Sequence, residues 1–270
     1  MTDASPAAIS EEIARAAEGG EPVLVATLIS APEANSERVG AKLLVREDGS
    51  HLGTLGFFPL NSAIKDGAAE AFRRHRTHTR YLSPKGEDLT RQDAGPDSFQ
   101  VMVEVYEQPC SLVIAGGGHV GKALSEIASL CGFRVMVIDD RPEYANEERF
   151  PEADRVIRGR FEEILTDYPL DPTTYVVAVT RGHRHDESSL RAVVGRGAAY
   201  VGMIGSKRRA AAVLSHLRET GMDAAALVEV RTPIGLDIGA ESPEEIAVSI
   251  MAEIIMHRRR RGTGAPLKLK

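Results

Sequence analysis

Cysteine is scarce in this 270-residue chain: Cys110 and Cys131 are the only two. That argues against a disulfide framework and makes a reducing, cytoplasmic setting the expectation. Long uncharged runs are missing as well. The longest, residues 108–121, is too short and too rich in glycine to span a membrane. At the amino end, Met1-Thr2-Asp3 offers no basic region followed by an apolar stretch, so no signal peptide is expected. A surplus of positive charge is lacking too. Lys and Arg number 33 against 39 Asp and Glu, a net charge of −6. Six of the cations fall in residues 257–270, where no acid occurs, which leaves −12 on the rest. Such a body repels nucleic acid, and one basic tail is no groove-wide footprint. What is present is ordinary globular material: 43% apolar and 27% charged residues, at a length that suggests two domains able to bury their own cores.

The amino-terminal part reads as a small α+β domain over residues 1–108. Ser5 and Pro6 can open a helix that places Ile9 and Ile13 on one face and ends at Gly19-Gly20. Strands are expected at residues 23–29, 41–45 and about 52–58, with Glu47-Asp48-Gly49 as a turn. A helix over about 61–74 follows, then a histidine-bearing stretch (residues 75–78 and Tyr81) that reads as strand or loop. A polar segment at 83–96 leads to an alternating strand at 99–106, and residues 107–109 read as a linker.

From Cys110 onward the texture changes to strand–helix alternation. Strands are expected at 112–114, 134–138, 155–157, 175–180 and 200–204, with helices at 122–130, near Glu187 and at 207–219. Ser242-Pro243-Glu244-Glu245 is a capping box ahead of Ile246, Ile250 and Ile254. Repeated strand–helix units call for a parallel sheet covered on both faces. The expectation is a Rossmann-like, doubly wound domain over residues 109–256 and a frayed basic tail at 257–270.

Three places carry chemistry. Gly116, Gly118 and Gly121 supply the spacing G-x-G-x-x-G, with His119 inside it, between a strand and a helix. Gly116 serves a tight turn, Gly118 brings amides near a phosphate, and Gly121 lets helix and strand approach. Asp139 or Asp140, at the end of the next strand, is placed to accept ribose hydroxyls. A carboxylate there favours NAD over NADP, although Arg141 beside it weakens the distinction. Second, Gly205-Ser206-Lys207-Arg208-Arg209 puts three cations at a helix start, against the macrodipole. That implies either a bound anion or a solvated basic turn. Third, His183-Arg184-His185-Asp186 reads as a ligand contact, a metal site, or a solvated cluster with Asp186 as a cap. The candidate cofactor-binding set is Gly116, Gly118, His119, Gly121, Asp139, Asp140, His183, Ser206, Lys207 and Arg208, with no metal ligands assigned. The loop at 233–239, with Gly235 and Gly239, must approach either another segment or a ligand. Cys131 reads as core, and Cys110 has no local activating partner.

The run from Gly116 to Lys122, the blocks at 137–143 and 149–154, Thr180-Arg181-Gly182-His183, Ile204-Gly205-Ser206-Lys207-Arg208, and the stretches at 233–240 and 243–247 resemble the XdhC/CoxI family. The resemblance implies an accessory factor for molybdenum hydroxylases such as xanthine dehydrogenase. Such a factor binds the molybdenum cofactor, assists its sulfuration with a sulfur-donating partner, and delivers it to the apoenzyme, and self-association is expected. In the amino-terminal domain the family pattern leads to a cysteine, where this chain has Pro59. Proline offers no thiolate. The readings kept beside this one are an NAD-dependent oxidoreductase and a nucleotide-sensing regulator.

Overall fold

The computed structural model describes residues 6–74, 77–259 and 263–265. The expected cap Ser5, His75, and Arg260, Arg261, Lys268 and Lys270 of the basic tail lie outside the described residues. The chain divides into two compact units that meet in sequence at Gln108 and Pro109.

The first unit opens with helix α1 (Pro6–Ala17) and strands β1 (Val23–Ser30), β2 (Lys42–Arg46) and β3 (His51–Gly53). Helix α2 (Phe58–Arg74), β4 (His78–Leu82), β5 (Asp88–Leu89) and β6 (Phe99–Tyr106) complete it. The six strands form one antiparallel sheet in the order β3-β2-β1-β6-β4-β5. On one face, Ile9 and Ala16 of α1 meet Val23, Val25 and Leu44. On the other, Leu60, Ile64, Ala68 and Phe72 of α2 meet Leu24, Ala26, Leu28 and Leu43. Covered twice, β1 is buried without a break from Val23 to Leu28, whereas β6 alternates.

The expected strand over 52–58 is a correction: β3 stops at Gly53, and α2 begins at Phe58, three residues before the expected helix. Gly53 and Gly56 hold φ near +74° and +88°, a region closed to an extended strand. Buried Asn61 then fixes the connection, accepting from the Leu55 amide at 2.9 Å and donating to Thr54 Oγ1 at 2.8 Å. Pro59 stands in the first turn of α2, where its missing N–H costs nothing.

The second unit alternates strand and helix. It comprises β7 (Ser111–Ala115), α3 (His119–Leu130), β8 (Arg134–Asp139), β9 (Arg155–Arg158), α4 (Phe161–Asp167), β10 (Thr174–Ala178) and α5 (His183–Val193). Then follow β11 (Tyr200–Met203), α6 (Lys207–Glu219), α7 (Ala224–Val228) and α8 (Pro243–Arg259). All strand pairs are parallel, in the order β11-β10-β7-β8-β9. The first three strands in sequence run outward to one edge and the last two return to the other side of β7, the doubly wound, Rossmann-like arrangement. Apolar residues of α3 and α8 cover the face bearing Leu112, Ile114, Val135 and Val177. Residues of α4 and α5 cover Val113, Ala115, Met136 and Val176, with α6 against Ala178 and Met203. The chain thus reverses its direction of travel across the sheet between β7 and β10, the switch point at whose carboxyl ends open α/β sheets bind ligands.

Helix α8 runs to Arg259, so residues 257–259 are helical rather than frayed: His257 Nε2 lies 2.8 Å from Ala199 O, and Arg258 covers the Phe133 ring. No helix among the described residues is long and apolar enough to cross a membrane.

Candidate functional site

Three helices of the second unit start at one rim. Helix α3 follows β7, α5 follows β10 and α6 follows β11, and these strands are neighbours. Parallel strands place all three amino-terminal helix ends at the carboxyl edge, about 5 Å apart per strand. Gly118 and Ser206 therefore share the rim.

The glycine loop is built by close approach. Gly116 has φ near +122°, and a Cβ there would meet Val179 O. A Cβ on Gly121 would collide with Gly116 O, and one on Gly117 with Tyr144 O. Gly117 thus joins the loop requirement, although it lies between the motif positions. Gly118 differs: as N-cap of α3 it has φ −65°, and a Cβ there would meet nothing within 4 Å. His119, the first helical residue, is exposed.

Asp139 is 1% exposed, and its carboxylate accepts four hydrogen bonds. Gly117 N (2.8 Å) and Arg141 Nη2 (3.0 Å) reach Oδ2, while Arg141 N (3.1 Å) and Nε (2.9 Å) reach Oδ1. A carboxylate has about four lone-pair sites, so none is left for a ribose. The expected role of Asp139 as ribose acceptor is therefore corrected: it fastens the loop from within. Burial alone raises its pKa, but the Arg141 guanidinium and the Gly117 and Arg141 amides outweigh this and hold it below the ordinary aspartate range. Arg141 also stacks on Tyr144, 3.6 Å from the ring centroid, and Arg149 Nε donates to Gly117 O at 3.0 Å.

Asp140 points elsewhere. Its Oδ2 accepts from Arg181 Nη2 at 3.0 Å. Because β8 and β10 flank β7, this pair passes over the glycine-loop strand. Arg181 is absent from the set expected on sequence grounds. Nothing in local sequence links positions 140 and 181; only the strand order brings them together.

Within the His183–Asp186 cluster, His185 and Asp186 take separate partners, and the side chain of His183 lies outside the described part of the structure. Helix α5 starts at His183 with Gly182 as N-cap, so Asp186 is not the cap of a helix near Glu187. Asp186 turns inward, fully buried, accepting from Thr180 Oγ1 at 2.5 Å and from Arg209 Nη2. The His185 ring packs edge-on against Phe161. No group of three or more potential metal ligands occurs among the described residues.

Of the three cations at the start of α6, Arg209 is drawn inward by Asp186, while its amide donates to Ser206 Oγ at 3.3 Å. One charge of the conflict with the helix dipole is thus answered from within. Lys207 and Arg208 remain exposed at the rim. The loop at 233–239 approaches another segment: Gly235 N donates to Glu253 of α8, and a Cβ on Gly235 would collide with Ser249 Oγ.

Cys110 precedes the amino end of β7, and Cys131 caps the carboxyl end of α3. Both pack on the core at the edge away from the rim. A five-residue strand separates them from it by roughly 17 Å.

Comparison with known proteins agrees with this fold. A model of the XdhC Rossmann domain matches residues 112–254, and one of the XdhC and CoxI family matches residues 16–82. The Escherichia coli protein YqeB, named as uncharacterized, is 28% identical over 263 residues, covering 96% of this chain and 48% of that protein. A Bacillus subtilis protein, named as a probable subunit of xanthine dehydrogenase, is 33% identical over 160 residues, covering 59% of this chain and 46% of its own length. The chain thus spans about half the length of these relatives. A crystal structure from Bacillus halodurans, described as a xanthine dehydrogenase, shares the fold, with a TM-score of 0.54 at 21% identity over 95% of this chain and 97% of that one. With more than half of its length matched by the Rossmann-domain model, the chain belongs to the XdhC family.

Proposed function

We propose that this protein is an accessory factor for a molybdenum hydroxylase such as xanthine dehydrogenase, and that its carboxyl rim holds the molybdenum cofactor for delivery to the apoenzyme. The observation that carries the reading is the open helix start at Gly118. Its neighbours Gly117 and Gly121 are glycine because protein atoms crowd them. Gly118 has ordinary backbone angles and empty space where a side chain would sit. A ligand accounts for the small residue there.

The rim suits an anion. The first amides of α3, which have no acceptor within the helix, aim at a phosphate, and Lys207 and Arg208 at the start of α6 add charge. The cofactor, when bound, supplies a pterin phosphate (a pyrophosphate in its dinucleotide forms) and the molybdenum that the hydroxylase uses. The protein's part is to orient that anion and release it. Arg181 is parked on Asp140, and an exposed pair of this kind is worth only about 0–1 kcal/mol. An arriving phosphate can therefore recruit Arg181 at small cost.

Sulfur transfer falls to a partner in this reading. Both thiols lie at the far edge of the second unit, and Pro59 stands where the family's cysteine would fall. The chain then holds the cofactor while a sulfur-donating protein acts on it. The nicotinamide reading loses its main support with Asp139, whose acceptor sites are spent.

Native mass spectrometry of protein purified from its own host tests this. The expected result is a co-purifying pterin, lost in Gly118→Val and reduced in Lys207→Ala. Retention of a nicotinamide nucleotide instead, or normal pterin uptake by both variants, overturns the reading.

A further inference from the structure

We propose that a cleft beside the first residues of β11 is a separate ligand site, one that takes a small, neutral N-heteroaromatic molecule. It lies at the amino end of that strand, whereas the rim lies at its carboxyl end, and it does not depend on the reading of the rim. The cleft exists because the outer edge of β11 is only partly covered. Arg231 pairs with the later part, its amide donating to Val201 O and its carbonyl accepting from Met203 N, both at 2.9 Å. The approach to β11 adds no side chains at two positions: Gly195 and Gly197 hold φ near +77° and +91° where the chain leaves α5. What remains is a space of about 240 Å³ walled by Val193, Ala226 and Val230.

Size, walls and one polar group select the occupant. An engineered apolar cavity of about 150 Å³ holds benzene, so this larger space admits a bicyclic ring. Tyr200 and His257 also line it, their ring centroids 5.3 Å apart, and a flat aromatic ligand packs well against such rings. His257 is held in place by Nε2, 2.8 Å from Ala199 O. Glu229 and Arg231 line the cleft with opposite charges, which favours a neutral molecule over an ion. Tyr200 is 3% exposed, and its hydroxyl has no hydrogen-bond partner. The neighbouring Glu253 carboxylate accepts from Gly235 N instead. Burial and that carboxylate push the phenol's pKa up, so the hydroxyl stays a donor. Buried donors are seldom left unpaired, and a ring nitrogen is the acceptor that an aromatic ligand brings.

Isothermal titration calorimetry of the full chain with quinoline and with naphthalene tests the proposal, since the two rings differ only in the nitrogen. The expected result is that quinoline binds and that naphthalene binds about tenfold more weakly. Tyr200→Phe should erase that difference by weakening quinoline alone. It should also melt like wild type, because the hydroxyl it removes is unpaired. Ala226→Leu, which fills the cleft, should weaken both ligands at least about tenfold. Ala198→Leu is a second filling variant, and thermal melting confirms that each is folded. No binding of quinoline, or equal binding of the two rings, overturns the proposal. A preference that survives Tyr200→Phe, or binding that neither filling variant weakens, overturns it too.

Discussion

A single carboxylate, that of Asp139, fastens the glycine loop at the rim, and its removal is a direct test of the loop. Asp139→Asn loses the charge with which the partly exposed Arg141 pairs, which costs about 1.5–3 kcal/mol, read as a lower melting temperature. The sign of the pH dependence follows from the depressed pKa. The stabilisation from Asp139 is complete above the unfolded aspartate value of about 3.9, and is lost as pH falls through the lower folded value. Acid titration of wild type against Asp139→Asn should therefore converge at low pH. The glycines give a second contrast. Gly121→Ala collides with Gly116 O and should destabilise by about 1–3 kcal/mol, whereas Gly118→Ala should melt like wild type and lose ligand. A third test separates two roles of Asp140. If it only parks Arg181, Asp140→Ala tightens anion uptake and steepens its salt dependence; if it binds a ribose, uptake weakens.

The elements are legible in proportion to how local their signals are. The capping box at Ser242 forms as its sequence implies, with Ser242 N donating to Glu245 Oε2 at 3.0 Å and Glu245 N donating to Ser242 Oγ at 3.3 Å. Strand β6 and helix α6 fall on their expected residues, because alternation and a serine cap are written within a few positions. The short helices α4 and α7 escape a reading of sequence, since five to seven residues carry too little periodicity. The start of α2 is hidden for another reason: Asn61 acts backward on Leu55 and Thr54. Asn61→Ala removes both bonds and leaves a buried amide unpaired, so melting should show a loss of about 2–3 kcal/mol in the first unit. Between α5 and α6, the Asp186–Arg209 pair orients the start of α6 at the rim.

At the scale of the whole molecule, the sequence by itself determined two units, their classes, the glycine loop and the family. Each of these rests on patterns that repeat along the chain: hydrophobic period, glycine spacing, helix caps. Only the tertiary structure decided which site residues are open to a ligand. Asp139, Asp186 and Arg209 are charged groups that the sequence offers to a ligand, yet Asp139 is bonded to Gly117 and Arg141, and Asp186 to Thr180 and Arg209, whereas Lys207 and Arg208 stay exposed. A linear sequence states which polar groups exist, but whether each is already satisfied depends on partners 2 to 41 positions away that the strand order brings within hydrogen-bond reach. Burial makes those internal partners obligatory, because a charge withdrawn from water must be paired inside the protein before anything outside can claim it.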